Sequence, residues 1–373
     1  MKLRCFISLI AAVVIATSTA GAVEIYNKDG SMLDIFGNIS GGYYFSNSDS
    51  NNGGNTFIRY GLVGKTYLSD KILGFGVWEH EFPLRDVEER MILKDPGHAL
   101  VGYVGMKFGD YGSVDYGRSY GVLYNVESWT DLTPEFGGDI SIPDNFLSSR
   151  ASNIITYHNN NLFGFLNGFD FALQYQGKNS IGHSTGHSIK TANGEGYGIS
   201  ASYKLENGIA ASAAYINCKR TSEQKNLDSN YTTDNAEAYS VGMKYDAYGM
   251  YFAATYGETY NMTPFGNFDD NLNPETLYGF ANKVRNVGVV AQYKFDCGIS
   301  PLVSYVHSKA SDIDNGYGNF LKRCVTIGTT YTLNKNIATT IDYRLNLLSK
   351  NDFTNAAQVC TDDILALGIS YLF

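Results

Sequence analysis

Apolar side chains recur at every second position along most of this chain. Near its end Leu365, Leu367, Ile369, Tyr371 and Phe373 are separated by Ala366, Gly368, Ser370 and Leu372. Val325, Ile327, Thr329, Tyr331 and Leu333 alternate with Thr326, Gly328, Thr330 and Thr332. Leu33, Ile35, Ile39, Tyr43 and Phe45 alternate with Asp34, Asn38, Ser40 and Tyr44. A period of two gives a strand one apolar and one polar or small face. Similar segments fall near 56–68, 73–82, 98–108, 113–118, 151–158, 169–176, 196–204, 209–217, 237–246, 250–257, 285–295, 300–308 and 338–346. With the first three, they predict about sixteen strands.

The connections fall into two classes. Short ones carry Gly, Asp or Asn, as in Gly109-Asp110-Tyr111-Gly112, Glu206-Asn207-Gly208, Asp246-Ala247-Tyr248-Gly249 and Asn334-Lys335-Asn336. Long polar ones lie between, at 47–55, 84–97, 119–150, 177–195, 218–236, 258–284, 309–321 and 347–361. Tight turns on one side and long loops on the other mark an outer-membrane barrel. In hydrocarbon every backbone amide must be paired, so strands span only when the sheet has no edge. The predicted fold is all-β, a sixteen-stranded antiparallel transmembrane β-barrel forming one domain, 23–373.

Composition agrees: 29 Tyr, 21 Phe and 40 Gly stand against 7 Pro and 2 Trp. Tyr and Phe are strand formers whose rings suit a membrane interface. A soluble β-sandwich could share that composition, which is why the loop asymmetry decides. The first residues read as a secretory leader, 1–22: Lys2 and Arg4, an apolar run from Phe6 to Ala16, then Ala20-Gly21-Ala22 as a cleavage site. The run is too short for a spanning helix, which needs about 20 residues. Of 28 basic residues, loss of Lys2 and Arg4 leaves 26 against 37 acidic, a formal charge of −11. That argues against nucleic acid as a partner and agrees with a conduit that favours cations. Cys218, Cys297, Cys324 and Cys360 match no metal spacing. A Cys324–Cys360 bridge is compatible with the long-loop side, where Cys218 also lies; Cys297 falls in a turn on the opposite side and is expected to stay unpaired with the others, and four free thiols are equally compatible.

Five segments carry a family resemblance: Glu24–Gly30 (EIYNKDG), Val114–Arg118 (VDYGR), Asp131–Asp139 (DLTPEFGGD), Tyr256–Thr259 (YGET) and Gly279–Lys283 (GFANK). In them the chain resembles the enterobacterial general porins, the OmpC, OmpF and PhoE group, from the start of the mature chain to Phe373. The resemblance implies a non-enzymatic channel without cofactor, a homotrimer set among outer-membrane lipid and lipopolysaccharide, passing ions and small hydrophilic solutes. It implies that loop 119–150 folds inward as a constriction. By motif position Asp131 and Glu135 are its acidic residues, Arg59 and Arg150 are wall arginines, Glu79 is a wall carboxylate, and Arg118, Tyr120 and Tyr124 surround the loop's root. Pro134, Phe136, Gly137, Gly138 and Asp139 shape the loop. The second loop, with Arg85, Asp86, Glu88, Glu89 and Arg90, matches one that reaches a neighbouring subunit.

Parity supports the lumen assignment independently. Arg59 shares a face with Phe57, Gly61 and Val63, opposite Ile58, Tyr60 and Leu62. A charge on the lipid face costs about 2–4 kcal/mol near the midplane, so Arg59 points inward. Glu79 and Glu81 lie opposite Trp78, His80 and Phe82 and do the same. The family carries a lysine at the position of Asn38 and an arginine at that of Leu100. Losing both predicts a cation-preferring pore. His183 and His187 have a metal-like spacing but sit in a Gly- and Ser-rich loop without a third ligand. The alternative kept is a plugged barrel acting as adhesin or receptor; a sugar-specific porin is set aside, because Tyr120 and Tyr124 are too short a stacking track.

Overall fold

The computed structural model describes residues 22–48, 51–84, 97–137, 145–182, 186–227, 233–268, 277–311, 313 and 319–373. The leader up to residue 21, the charged residues of the second loop, Gly138, Asp139 and His183 lie outside them. Among the described residues no helix is long and apolar enough to cross a membrane; the crossing elements are strands.

Sixteen of them form the wall: β1 Ser31–Ser46, β2 Phe57–Ser69, β3 Ile72–Pro83 and β4 His98–Phe108; β5 Ser113–Tyr120, β6 Arg150–Asn159, β7 Phe169–Gln176 and β8 Gly196–Lys204; β9 Ile209–Lys219, β10 Asn235–Ala247, β11 Met250–Gly266 and β12 Tyr278–Tyr293; β13 Ile299–Ser311, β14 Phe320–Thr332, β15 Ile337–Asn346 and β16 Ile364–Leu372. Each pairs antiparallel with the next, and β16 pairs with β1 from Ile364↔Ser46 to Leu372↔Asn38. The sheet therefore closes and leaves no edge. A further segment, Val23–Lys28, continues along β1 beyond the end of β16, pairing with Ser31–Ile35.

Alternation becomes inside and outside. In β9, Ala210, Ser212, Ala214, Ile216 and Cys218 are buried while Ile209, Ala211, Ala213 and Tyr215 are exposed. The outer face carries Ile199, Val289, Val303 and Ile327 between exposed tyrosines: Tyr197, Tyr239 and Tyr256 towards the long loops, Tyr203, Tyr293, Tyr331 and Tyr371 towards the turns. Two aromatic girdles around an apolar band suit a bilayer. Val289→Arg, between the girdles, is expected to destabilise the inserted barrel by about 2–4 kcal/mol, read as a lowered urea midpoint in lipid vesicles. An unchanged midpoint would put Val289 outside the band.

The turns are tight where the sequence requires it. Gly112 has φ +97°, and a Cβ there would collide with the His158 carbonyl. Among the described residues, helices are confined to loops: α1 Tyr124–Glu127, α2 Ser222–Asn226 and α3 Asp352–Ala356. The last two begin with capping boxes, Thr221 with Gln224 and Asn351 with Thr354. Cys218, Cys297, Cys324 and Cys360 are all free thiols, so the Cys324–Cys360 bridge is not formed.

Candidate functional site: a charged lumen beneath an inward-packed loop

The β5–β6 loop begins at a close approach. Gly121 N–H donates to the Ser149 carbonyl at 2.7 Å and Leu123 N–H to Leu147 at 3.3 Å, so the two ends of the loop run side by side. A Cβ on Gly121 would collide with the Leu147 backbone. Val122, Leu123, Val126, Phe146 and Leu147 then pack on Ala172, Ala214, Ile216, Ala236, Ala238 and Met262, the inward-facing residues of β7 and β9–β11. Phe146 and Leu147 hold positive φ, +55° and +139°, in full burial. A backbone so strained persists because packing over-determines it.

Polar contacts continue this seam around the wall. Val122 N–H donates to Gln174 Oε1 (2.7 Å), Asn125 Nδ2 to Ser200 Oγ (2.9 Å), and the Thr130 and Thr255 hydroxyls bond at 2.9 Å. Tyr251 O–H donates to the Trp129 carbonyl at 2.8 Å, and Lys244 Nζ lies 4.7 Å from the Trp129 ring centroid. At the tip, Glu135 N–H donates to Asp342 Oδ2 (3.1 Å), Thr340 O–H to Glu135 Oε1 (2.5 Å) and Tyr44 O–H to the Glu135 carbonyl (3.0 Å). Phe136 packs with Ile364, Ala366 and Tyr44, and the Arg344 guanidinium lies 4.0 Å over its ring. The described part of the loop thus touches inward-facing residues from β7 to β1.

The expected site residues gather in two groups. In the first, Arg59 is clamped by carboxylates: Nη2 lies 2.6 Å from Glu81 Oε2, and Nε lies 3.7 Å from Glu79 Oε1. His98 Nε2 is 3.8 Å from the other Glu81 oxygen. Tyr120 and Tyr124 stack at 4.6 Å, and the Arg150 guanidinium lies 6.0 Å from the Tyr120 ring centroid. Tyr120 lies within electrostatic reach of Arg150, Glu79, Arg59 and Asp131. Tyr124 O–H donates to Asp131 Oδ2 at 2.9 Å. Burial, with the Asp131 charge adding to it, pushes the Tyr124 hydroxyl up and keeps it a donor. Arg118 Nε donates to the Ala99 carbonyl (3.0 Å). The second group is Glu135 and Phe136 at the tip, anchored on β15, β16 and β1. Pro134 and Gly137 are exposed beside them.

Sequence reasoning missed Tyr44, Thr340, Asp342 and Arg344 on the wall. Parity could have found Asp342 and Arg344, which face inward between the outward Ile341 and Tyr343. It also missed Glu127, 2% exposed on α1, whose Oε2 is buried without a hydrogen-bond partner. Burial first, then the Asp131 charge, raises this carboxyl well above the ordinary range. His187, half of the histidine pair set aside, meets the Thr191 carbonyl through Nδ1 at 3.1 Å.

Comparison with known proteins places this architecture. Residues 28–373 match the model of the Gram-negative porin family. The chain is 45% identical to outer membrane protein F of Serratia marcescens and 45% to outer membrane porin C of Salmonella typhimurium, over the full length of both partners. The solved structure of Salmonella typhi OmpF, in complex with daunomycin, superposes with TM-score 0.85 at 39% identity, covering 94% of this chain and all of that one. An anion-selective porin from Comamonas acidovorans, 17% identical with TM-score 0.66, shares the fold alone. The chain belongs to the Gram-negative porin family, in its enterobacterial general-porin group, and is a non-enzymatic outer-membrane channel protein.

Proposed function

We propose that this general porin is cation-preferring, and that the β5–β6 loop is its constriction. The observation that carries the reading is the clamping of Arg59 between Glu79 and Glu81. Its positive charge is compensated within the wall, and Asp131 and Glu135 add negative charge from the loop. Arg118 and Arg150 are the remaining basic residues of the predicted set. Fixed carboxylates attract cations and repel anions, most strongly where the lumen is narrow and water is scarce. Asn38, paired in register with Arg59, and Leu100, 3% exposed, add nothing to the positive side. Asn38→Lys combined with Leu100→Arg is therefore expected to move the reversal potential in a salt gradient towards zero. No movement in a conducting double variant would show that these positions do not set selectivity.

The chain works, on this reading, as a homotrimer in contact with outer-membrane lipid and lipopolysaccharide, after removal of residues 1–22. The outward face of β1–β4 supports an interface: at Gly41, Gly64, Gly74, Gly76 and Gly102 a Cβ would meet nothing nearer than 3.5 Å, leaving a smooth wall. Small residues let neighbouring surfaces approach closely. The relatives, all named as outer-membrane proteins or porins, do not favour a plugged adhesin.

A further inference from the structure

Glu127 is a buried acid that ion passage does not use. It ends the single-turn helix α1, which packs on β9 and β10. Its neighbours along the helix are the fully buried Leu123 and Val126. Val126 sits where a Cβ on Gly242 would meet it at 3.0 Å, so α1 lies directly on the wall. The charged and titratable groups around this seat are few. The loop itself offers Tyr124 and Asp131, bonded to each other. On their inward faces β9 carries the Cys218 thiol and β10 carries Lys244, whose ammonium rests on the Trp129 and Tyr251 rings. Beside them β8 carries Ser200 and, at its turn end, Lys204, while β11 carries Thr255 and Thr259. No ion pair to Glu127 is formed among the described residues, and Oε2 accepts no hydrogen bond.

An ionised carboxylate is strongly disfavoured in such a place, because burial strips its hydration and supplies no partner in return. A neutral acid is not. We propose that Glu127 is a positioning residue of the constriction: as the neutral acid it seats α1 flush on β9 and β10, and as the carboxylate it drives the helix off the wall into the lumen.

The direction with pH follows from linkage. The seated loop holds a proton that the lifted loop releases, so seating is strongest in acid and weakens as pH rises through the seated group's raised pKa. Lifting moves α1 towards the pore axis, so the channel narrows on the alkaline side. This rests on the β5–β6 loop being the constriction.

The test is single-channel conductance of the purified porin in planar bilayers, titrated from mildly acidic to alkaline pH. The wild type is expected to lose conductance reversibly as pH rises. Glu127→Gln, which mimics the neutral acid, is expected to keep the neutral-pH conductance throughout. Infrared spectroscopy is expected to show a protonated-carboxyl C=O band in the wild type that weakens on alkaline titration over the same range and is smaller in Glu127→Gln. A wild-type conductance flat over that range would overturn the proposal without any variant. Matching pH profiles in wild type and Glu127→Gln would overturn it equally. Failure of the constriction reading itself looks different: Asp342→Ala would then leave conductance and size limit unchanged.

Discussion

Replacing Asp342 with alanine is expected to enlarge the channel. Asp342 is fully buried on β15 and its Oδ2 accepts the Glu135 N–H at 3.1 Å. Without it that amide faces the wall unpaired, at a cost of about 1–3 kcal/mol. The tip then keeps the hydroxyls of Thr340 and Tyr44, the packing of Phe136, and Arg344, which lies over the Phe136 ring and donates to its carbonyl at 3.4 Å. Ordering each loop residue costs about 1–2 kcal/mol in backbone entropy alone, so losing one anchor tips the balance towards release. The root stays in place, since Val122, Leu123, Val126, Phe146 and Leu147 are fully buried and each is worth about 1.5–3 kcal/mol. Expected, then, are a folded barrel, a higher single-channel conductance and faster vesicle swelling with larger sugars. Wild-type conductance and size limit in a folded Asp342→Ala barrel would show that the tip does not narrow the pore.

The second large effect concerns charge. Glu79→Gln combined with Glu81→Gln keeps shape and removes both carboxylates from Arg59, turning a compensated cluster into an exposed positive charge. Cation preference is expected to fall to near neutrality or reverse, with conductance little changed. Glu79→Gln alone is expected to do less, because Arg59 keeps the 2.6 Å contact to Glu81 and the 3.7 Å contact to Glu79 is the weaker one. A double variant with wild-type selectivity would mean that the loop acids alone decide.

Much of this was legible in the sequence, because a barrel in a bilayer enforces strict alternation. All sixteen strands fall where the pattern places them, and Arg59, Glu79 and Glu81 share the inner face that parity assigned. The pattern fails where strands leave the bilayer. β11 runs on to Gly266 and β12 begins at Tyr278, against predicted limits of 257 and 285. There a bulge between Tyr260 and Thr263, with Asn261 at φ +56°, breaks the period of two. Val23–Lys28 gives no strand signal, since six residues with Asn27 and Lys28 among them show little alternation. The loop anchors were illegible for another reason. Glu135 meets Thr340 and Asp342 across about two hundred residues, and only the closed wall brings them together. Glu127 was hidden because a carboxylate in a helical loop ordinarily faces water.

On the proposed function, the fixed charge of the lumen favours cations. This preference is tested most directly by the reversal potential of the refolded wild-type porin in a planar bilayer across a potassium chloride gradient at neutral pH. A potential of the sign carried by potassium is expected, shrinking as salt screens the wall. A potential near zero, or of the sign carried by chloride, would contradict it.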